Sequence, residues 1–377
     1  MTNNKTRTYL TILFALYFGL TLFRFVFPAN ALVTSLVISM GISSLLYSFS
    51  AIRRWHLNIY IFVTLLILSH LISSLAVSRT ERVGHVVLFI LSNTGIAMLL
   101  IKKYIYSWGA STIFYLLAMV FIFLILSGFN PDENLAVVSH NGISMLIIVA
   151  CITFYLVNFI NDKDLVLLPA VLTLIISIWG SGRSGILSSF VILLGLTLIK
   201  FKINIKLSFL LGILILLCLY YFLENIVLNL VEIPFFSNAA SLYLARTSEG
   251  GPDVRVDIWQ NYFNNLDLYR MIFGANVLLD PWPEGKALAY NYHNSFINLH
   301  LQTGLMGIVI ILLFALSLLK FFFKNQIFFI LFLALSLRWL VDIGLYFESW
   351  DYLPFFFTFL SLLGRDFHAF SYTLNKD

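Results

Sequence analysis

The sequence predicts an all-α polytopic membrane protein with about twelve transmembrane helices and one large outer loop, and three observations carry the prediction. Of its 377 residues 60% are hydrophobic and only 11% charged, whereas a soluble domain is nearer one half and one quarter. The hydrophobic residues fall in runs of about 20, the length a helix needs to cross ~30 Å of hydrocarbon. Charged residues collect in the short connections between the runs. This composition excludes disordered and collagenous classes. The two cysteines, Cys151 and Cys218, both lie inside apolar runs, so there is no disulfide framework and no reading of the redox compartment. A net charge of +5 would suggest nucleic acid in a soluble chain; spread over inter-helix connections it reads as membrane orientation, with no nucleic-acid partner.

The first run, 9–27, ends at Pro28, and without a small-residue cleavage pattern it reads as a retained helix rather than a signal peptide. Runs 31–50 and 57–77 are separated by Arg53 and Arg54. Run 84–101 follows Arg79 and Arg82, and run 110–127 follows Lys102 and Lys103. Runs 142–160 and 165–180 flank Asp162, Lys163 and Asp164, run 184–199 follows a glycine-rich hinge, and run 207–230 follows Lys200, Lys202 and Lys206. A stretch of about 60 residues, Glu232 to Asn291, then carries most of the non-membrane sequence. Runs 294–319, 327–346 and 352–364 complete the chain, the eleventh beginning after Lys320 and Lys324. The organisation is therefore helices 1–9 over 1–231, an outer loop over 232–291, and helices 10–12 with a short tail over 292–377.

Cytoplasmic connections of membrane proteins are enriched in Lys and Arg. With the N-terminus inside, that side holds Lys5, Arg7, Arg53, Arg54, Lys102, Lys103, Lys163, Lys200, Lys202, Lys206, Lys320, Lys324, Arg365 and Lys376. Only Asp162, Asp164, Asp366 and Asp377 among the 18 acids share it. Both termini are then cytoplasmic, and the long loop faces the periplasm or cell exterior. Arg79, Arg82, Arg183, Arg246, Arg255, Arg270 and Lys286 stand on the disfavoured side and need another reason to be there; pairing with the outer acids is one. Arg24 and Arg338 lie in or at the ends of runs, where snorkelling or an intramembrane pair accounts for them as well as function does.

Three outer patterns could carry chemistry. Gly180-Ser181-Gly182-Arg183-Ser184-Gly185 is a small-residue hinge where backbone can approach a ligand closely and Arg183 offers five fixed donors to an anion; a tight turn with a snorkelled arginine explains the same residues. Asp253 to Arg270 forms an amphipathic stretch, with Asp253 as N-cap and Val256, Trp259, Phe263 and Leu266 on the face expected to rest on the membrane domain. Arg255 falls in its first turn, where a helix N-terminus and a guanidinium together suit an anion, although pairing with Asp253 or Asp257 is the alternative. Tyr292-His293-Asn294-Ser295, followed by Gly304-Leu305-Met306-Gly307, opens the tenth run. His293 can exchange a proton near neutral pH, with Asn294 and Ser295 to orient it or a bound hydroxyl; a capping or structural histidine is the alternative. His300 follows seven residues on. This is not the i,i+4 spacing of a helical zinc site, and no acidic or cysteine cluster accompanies it, so neither a metal nor another cofactor is expected. There is no phosphate-binding P-loop, dinucleotide fingerprint, nucleophile elbow or HExxH. Trp259, Trp282 and Trp350 could stack on sugars or serve as an interfacial belt.

Taken together these patterns resemble the O-antigen polymerase and ligase superfamily of bacterial envelopes, integral-membrane glycosyltransferases of the Wzy and WaaL type. The resemblance rests on the many-spanning chain, the long outer loop, Arg183 in a small-residue turn, Arg255 at a loop helix, Met271-Ile272-Phe273-Gly274, and the signature His293-Asn294, nine residues, Gly304-x-x-Gly307. It implies a GT-C-like, metal-independent enzyme of the bacterial inner membrane that takes a glycan from undecaprenyl diphosphate. By analogy Arg183 and Arg255, with Arg246 as a third, hold the diphosphate. His293 is the base, and Asn294, Ser295, Gly304 and Gly307 line the substrate site. The acceptor would be a lipid-linked repeat unit in a polymerase, the expectation favoured here, or the lipid A core in a ligase. A chain-length regulator protein is a further implied partner. A lipid-linked oligosaccharide flippase is the competing class, but transporters commonly carry internal repeats, and no two similar halves are visible.

Overall fold

A computed structural model of the chain describes residues 4–27, 30–49, 57–79, 83–129, 140–180, 182–203, 253–276, 294–340 and 350–363. Every regular element among them is an α-helix, and the chain is a polytopic membrane protein by the length and apolarity of those helices. In chain order they are α1 (Asn4–Val26), α2 (Ala31–Phe49), α3 (Leu57–Ala76), α4 (Val83–Ile101), α5 (Ser107–Leu126), α6 (His140–Ile160), α7 (Leu168–Trp179), α8 (Arg183–Lys200), α9 (Asp253–Asn264), α10 (Leu268–Phe273), α11 (Ser295–Thr303), α12 (Leu305–Lys324), α13 (Gln326–Leu340) and α14 (Tyr352–Leu362). Eight of these, α1 to α6, α8 and α12, are long and apolar enough to cross a membrane. The apolar helices α7, α13 and α14 have 12, 15 and 11 residues and are shorter. The expected run 207–230 lies outside the described residues, as do Arg246, Lys286 and His293.

Several expected boundaries change: the first run is helical from Asn4, the stretch from Asp253 to Arg270 breaks between Asn264 and Leu268, and two further changes have a visible backbone cause. Run 165–180 becomes helical only at Leu168, because Pro169 takes a position in the first turn, where a missing N–H costs nothing. The tenth run, expected as one helix over 294–319, is two. Gly304 adopts φ +57°, a left-handed conformation that ends α11 and starts α12 in a new direction. His300 is therefore part of a short helix at the end of the bundle, not of a lipid-crossing one.

Contacts sort the helix ends into two groups. At one end the Arg7 guanidinium donates to Asn161 and lies over the Tyr106 ring at 4.0 Å. There too Lys102 donates to the Ser48 carbonyl at 2.7 Å, Lys103 approaches Asp162 at 4.0 Å, and Lys320 donates to the Ser361 carbonyl at 2.6 Å. The opposite end gathers the last turn of α3, the starts of α6, α8 and α12, the end of α13, and α9 to α11. The helices α8 and α13 run antiparallel: Ser184 meets Arg338 at one end, and Gly195 faces Ile330 farther along, where an added Cβ would sit 2.5 Å from Ile330 Cδ1.

Small residues let helices touch where lipid supplies no hydrophobic drive between them. A Cβ on Gly95 would stand 2.1 Å from the Gly41 carbonyl, so α2 and α4 cross backbone to backbone. Between α12, α13 and α14 the filling is aromatic: Phe332 stacks on Phe357 at 4.7 Å, and Phe321 meets Phe328 at 5.7 Å. Outward, α3 exposes Leu57, Ile61, Leu65, Leu68, Ile72 and Leu75 at helical spacing, and α12 exposes Val309, Leu312, Leu316, Leu319 and Phe323. Such continuous apolar stripes suit acyl chains rather than water.

Candidate functional site

The second half of the outer segment builds upward from its helix caps. Asn294 has an extended backbone, and its Oδ1 accepts from the amides of Phe296 at 2.9 Å and Ile297 at 3.1 Å, so it is the N-cap of α11. Ser295 begins the helix fully buried. The residue that precedes this cap in the sequence, His293, lies outside the described residues. Asp267 caps α10 in the same way, accepting from the Arg270 amide at 2.7 Å.

The far ends of α10 and α11 interlock through their closing glycines. Gly274 (φ +77°) and Gly304 (φ +57°) each donate their amide to a carbonyl four residues back, at 2.7 Å. A Cβ on Gly274 would lie 2.1 Å from the Leu301 oxygen, and a Cβ on Gly304 would lie 2.0 Å from the Ile272 oxygen. Each glycine thus rests on the other helix's last carbonyls. On Gly307 a Cβ would come within 2.7 Å of the His300 Cα, which fixes the angle between α11 and α12. The expected substrate-lining glycines Gly304 and Gly307 therefore have a packing reason to lack a side chain.

This clasp is tied to the end of α3. The Arg79 guanidinium donates to the carbonyls of Leu301 at 2.9 Å and Gln302 at 3.4 Å, and to that of Ala275. Burial pushes it down to about 10, so it stays charged at neutral pH. Pairing with outer acids was the expected explanation of Arg79; the structure puts it instead on helix C-terminal carbonyls, the negative end of a dipole. Ser73 also donates to the Phe273 carbonyl, and His70 Nδ1 lies 3.2 Å from the Gln302 oxygen.

Above the clasp, Tyr262 of α9 is buried, with its hydroxyl on His300 Nδ1, while His300 Nε2 lies 3.0 Å from the Met271 carbonyl. A carbonyl only accepts, so Nε2 carries the hydrogen and Nδ1 accepts from the phenol. Desolvation by burial holds this imidazole below its ordinary range, more than the Met271 contact restores, which keeps it neutral. No group of three His, Cys, Asp or Glu stands together among the described residues. Tyr262, Ala275, Ile297 and Leu301 form a small core of their own, with Trp259 and Leu266 against it. The packed face of α9 therefore keeps the expected Trp259 and Leu266 but takes Tyr262 in place of Phe263, which is 61% exposed. Hydropathy ranks Phe above Tyr, but only Tyr has a hydroxyl for His300. Arg255 lies in the first turn of α9; its side chain is outside the described residues.

The hinge pattern resolves into the start of α8. Gly182 is its N-cap, with no side chain to satisfy the first amides, and Arg183 is the first helical residue, its side chain exposed. A Cβ on Gly185 would lie 2.3 Å from Ser144, so α8 enters close against α6. Beside it Arg338 is almost wholly buried and donates to the Ser184 hydroxyl. Helix α13 packs on α8 and on α11, which puts Arg183 and the Asn294 cap at the same end of the bundle, the end away from Lys102, Lys103 and Lys320. Of the expected residues, the structure thus brings Asn294, Ser295, Gly304 and Gly307 into one unit and sets Arg183 at the same end.

Sequence reasoning missed Tyr262 and the role of Arg79. The signal for Arg79 was its position on the side where basic residues are disfavoured; for Tyr262 it was a polar-tipped aromatic on the border of an amphipathic face. No protein family's sequence model matches this chain, and no curated protein matches it.

Proposed function

We propose that the protein is an inverting, metal-independent glycosyltransferase of the inner membrane that polymerises a surface polysaccharide, such as O-antigen or capsule, from undecaprenyl-diphosphate-linked units. The observation that carries this reading is the common placement of Arg183 and of the helix cap that follows His293, at the bundle end opposite the lysines. By the positive-inside rule that end is periplasmic, where a lipid-linked glycan is presented.

In this reading the acceptor sugar hydroxyl attacks the anomeric carbon from the face opposite the diphosphate. His293 takes the hydroxyl proton, and the anomeric C–O bond breaks with its electron pair leaving on the diphosphate. Arg183 and Arg255, with Arg246, hold the growing negative charge in a poorly hydrated setting where fixed guanidinium donors act strongly. One base suffices because the diphosphate leaves unprotonated. The exposed apolar stripes of α3 and α12 let the polyprenyl tail remain in lipid during the reaction.

The test is a deletion strain analysed by polysaccharide gel with lipid-linked glycans extracted in parallel, complemented by wild type or His293→Ala. Loss of the ladder with a single repeat unit left on lipid A, unrescued by His293→Ala, supports a polymerase. Bare lipid A with long chains accumulating on undecaprenyl diphosphate makes the protein a ligase. An unchanged ladder overturns both. Activity of the purified protein should withstand EDTA; a loss restored by magnesium would overturn the metal-free mechanism.

A further inference from the structure

The short helix α10 is amphipathic, and its apolar stripe is turned away from the protein. Leu268, Met271 and Ile272 stand three and four residues apart, within about 100° of arc on the helix surface. All three are exposed. The other side of the helix is taken up by contacts. The Tyr269 hydroxyl donates to the Ala76 carbonyl at the end of α3, the Phe273 carbonyl accepts from Ser73, and Arg270 donates to the Asn265 carbonyl at 2.7 Å. A cluster of large apolar side chains held outward in this way marks a surface with a partner.

The position of α10 identifies that partner. The helix packs on α3, α11 and α12. Helix α3 has 20 residues, a length of about 30 Å, and its last turns carry the bonds to Tyr269 and Phe273. On the other flank the Ile272 carbonyl lies against Gly304, and α12, also of 20 residues, begins at the next residue. Helix α10 therefore bridges the ends of two lipid-crossing helices at the level where both stop. The exposed stripe of α3 finishes with Leu68, Ile72 and Leu75, and that of α12 starts with Leu305, Val309 and Leu312. Both are walls that acyl chains cover. Tyr269, a polar-tipped aromatic bonded to a helix-end carbonyl, is the residue type that settles at the boundary of hydrocarbon and headgroups.

We propose that α10 is an interfacial anchor whose Leu268, Met271 and Ile272 are immersed in the acyl chains of the leaflet at this end of the bundle, with bilayer lipid as their partner. A helix lying in this plane buries its apolar side about 5–10 Å below the headgroups. The consequence reaches the clasp of α10 and α11. Arg79 and the two closing glycines tie α11 to α10, so the Asn294 cap is held at headgroup level and not out in bulk water. The anchor does not depend on the function proposed above.

The experiment uses the full-length protein in nanodiscs of phosphatidylethanolamine and phosphatidylglycerol. In a parent carrying Cys151→Ala and Cys218→Ala, nitroxides are placed singly at Leu268→Cys, Met271→Cys and Ile272→Cys. Leu312→Cys in α12 is the lipid reference, and Lys163→Cys in the exposed connection after α6 is the water reference. Collision with oxygen, which concentrates in lipid, is compared with collision with a water-soluble nickel chelate. The expected ratio at all three α10 sites is on the order of tenfold above that of Lys163→Cys and below that of Leu312→Cys, as a depth just under the headgroups requires. A ratio equal to that of Lys163→Cys places the stripe in water and overturns the anchor. Labels that neither reagent reaches are covered by protein, a second copy of this chain, which also overturns it. A second measurement needs no substitution. The wild-type protein is irradiated with a phospholipid carrying a diazirine at the middle of one acyl chain, and adducts are mapped by mass spectrometry. Adducts on residues 268–272 as well as on α12 support the anchor, and adducts confined to the lipid-crossing helices overturn it.

Discussion

The guanidinium of Arg79 donates to the Leu301 carbonyl at 2.9 Å, and this contact joins the end of a lipid-crossing helix to the last turn of α11. The backbone of Arg79 is held by the α3 terminus, its amide reaching the Ser74 carbonyl at 2.7 Å past Ser78 at φ +52°. Anchor and load thus fall on one residue, three past the end of α3, and the fork of the guanidinium covers carbonyls from two chain segments at once.

Arg79→Ala should therefore destabilise the clasp more than an exposed arginine would. Charge-assisted hydrogen bonds contribute about 1.5–3 kcal/mol each where desolvated, and with Arg79 only half-buried a total of about 2–3 kcal/mol is expected. Arg79→Lys should recover about half, since one ammonium cannot fork across Leu301 and Ala275. Tryptophan-fluorescence melting in detergent measures both. A melting curve for Arg79→Ala that overlays the wild type would mean packing alone holds α11.

Gly304→Ala introduces a Cβ 2.0 Å from the Ile272 oxygen at a left-handed residue. The conformation costs about 1–2 kcal/mol and the overlap adds to it, so a loss of about 3 kcal/mol or more is expected. Gly84→Ala, where nothing lies within 4 Å of an added Cβ, is the control and should be neutral or slightly stabilising. Equal melting temperatures for the two variants would refute the interlock.

The helices were legible in the sequence because a membrane demands long apolar runs, and the runs beginning near Ala31, Leu57, Val83 and Ser107 start within three residues of where they were expected. What escaped were decisions made by single contacts between distant segments. Gly304 divides the tenth run because the Ile272 carbonyl occupies the space beside it, and nothing near Gly304 in sequence announces Ile272. Tyr262 displaces Phe263 from the core of α9 because His300, 38 residues on, has an acceptor to fill. Arg183 and Asn294 could be assigned to one end by charge counting alone. Their nearness to Arg338 and α13 needed the three-dimensional packing.

His300 gives the docking of α9 a pH dependence of known sign. Folding holds its imidazole below the ordinary 6.5, so on acidification the unfolded chain takes up the proton first. The stability contributed by the neutral ring is complete above about 6.5 and is lost as pH falls through that value and below. Between pH 7.5 and 5 the wild-type melting temperature should drop more than that of His300→Asn, and the difference between the two slopes isolates this residue from the other histidines. Parallel slopes would remove His300 as the source.

Asn93 serves two helices in the middle of the bundle. Its Oδ1 accepts from the Tyr17 hydroxyl at 3.1 Å and from the Tyr352 amide at 2.9 Å, the first free N–H of α14. Asn93→Ala leaves both donors buried where no water can replace the acceptor, at an expected cost of about 2–4 kcal/mol. Ser43→Ala, whose exposed hydroxyl bonds only its own helix, should change stability by less than about 0.5 kcal/mol. Unfolding in graded SDS compares the two.

Arg183 precedes Ser184 in α8 and Arg338 donates to its hydroxyl, yet the two arginines should fail in opposite ways. Arg338 is 1% exposed, and replacing it by Ala empties a filled space and removes the donor to Ser184, so folded yield and melting temperature should fall. Arg183 is exposed at the first residue of α8, so Arg183→Ala should leave stability within about 0.5 kcal/mol while transfer drops by about a hundredfold or more, the usual cost of deleting a donor to developing charge. Arg183→Lys should stay well below wild type, because a point charge cannot hold a diphosphate bidentately. Normal transfer in Arg183→Ala would take that residue out of the site, while a stability loss as large as that of Arg338→Ala would make it structural.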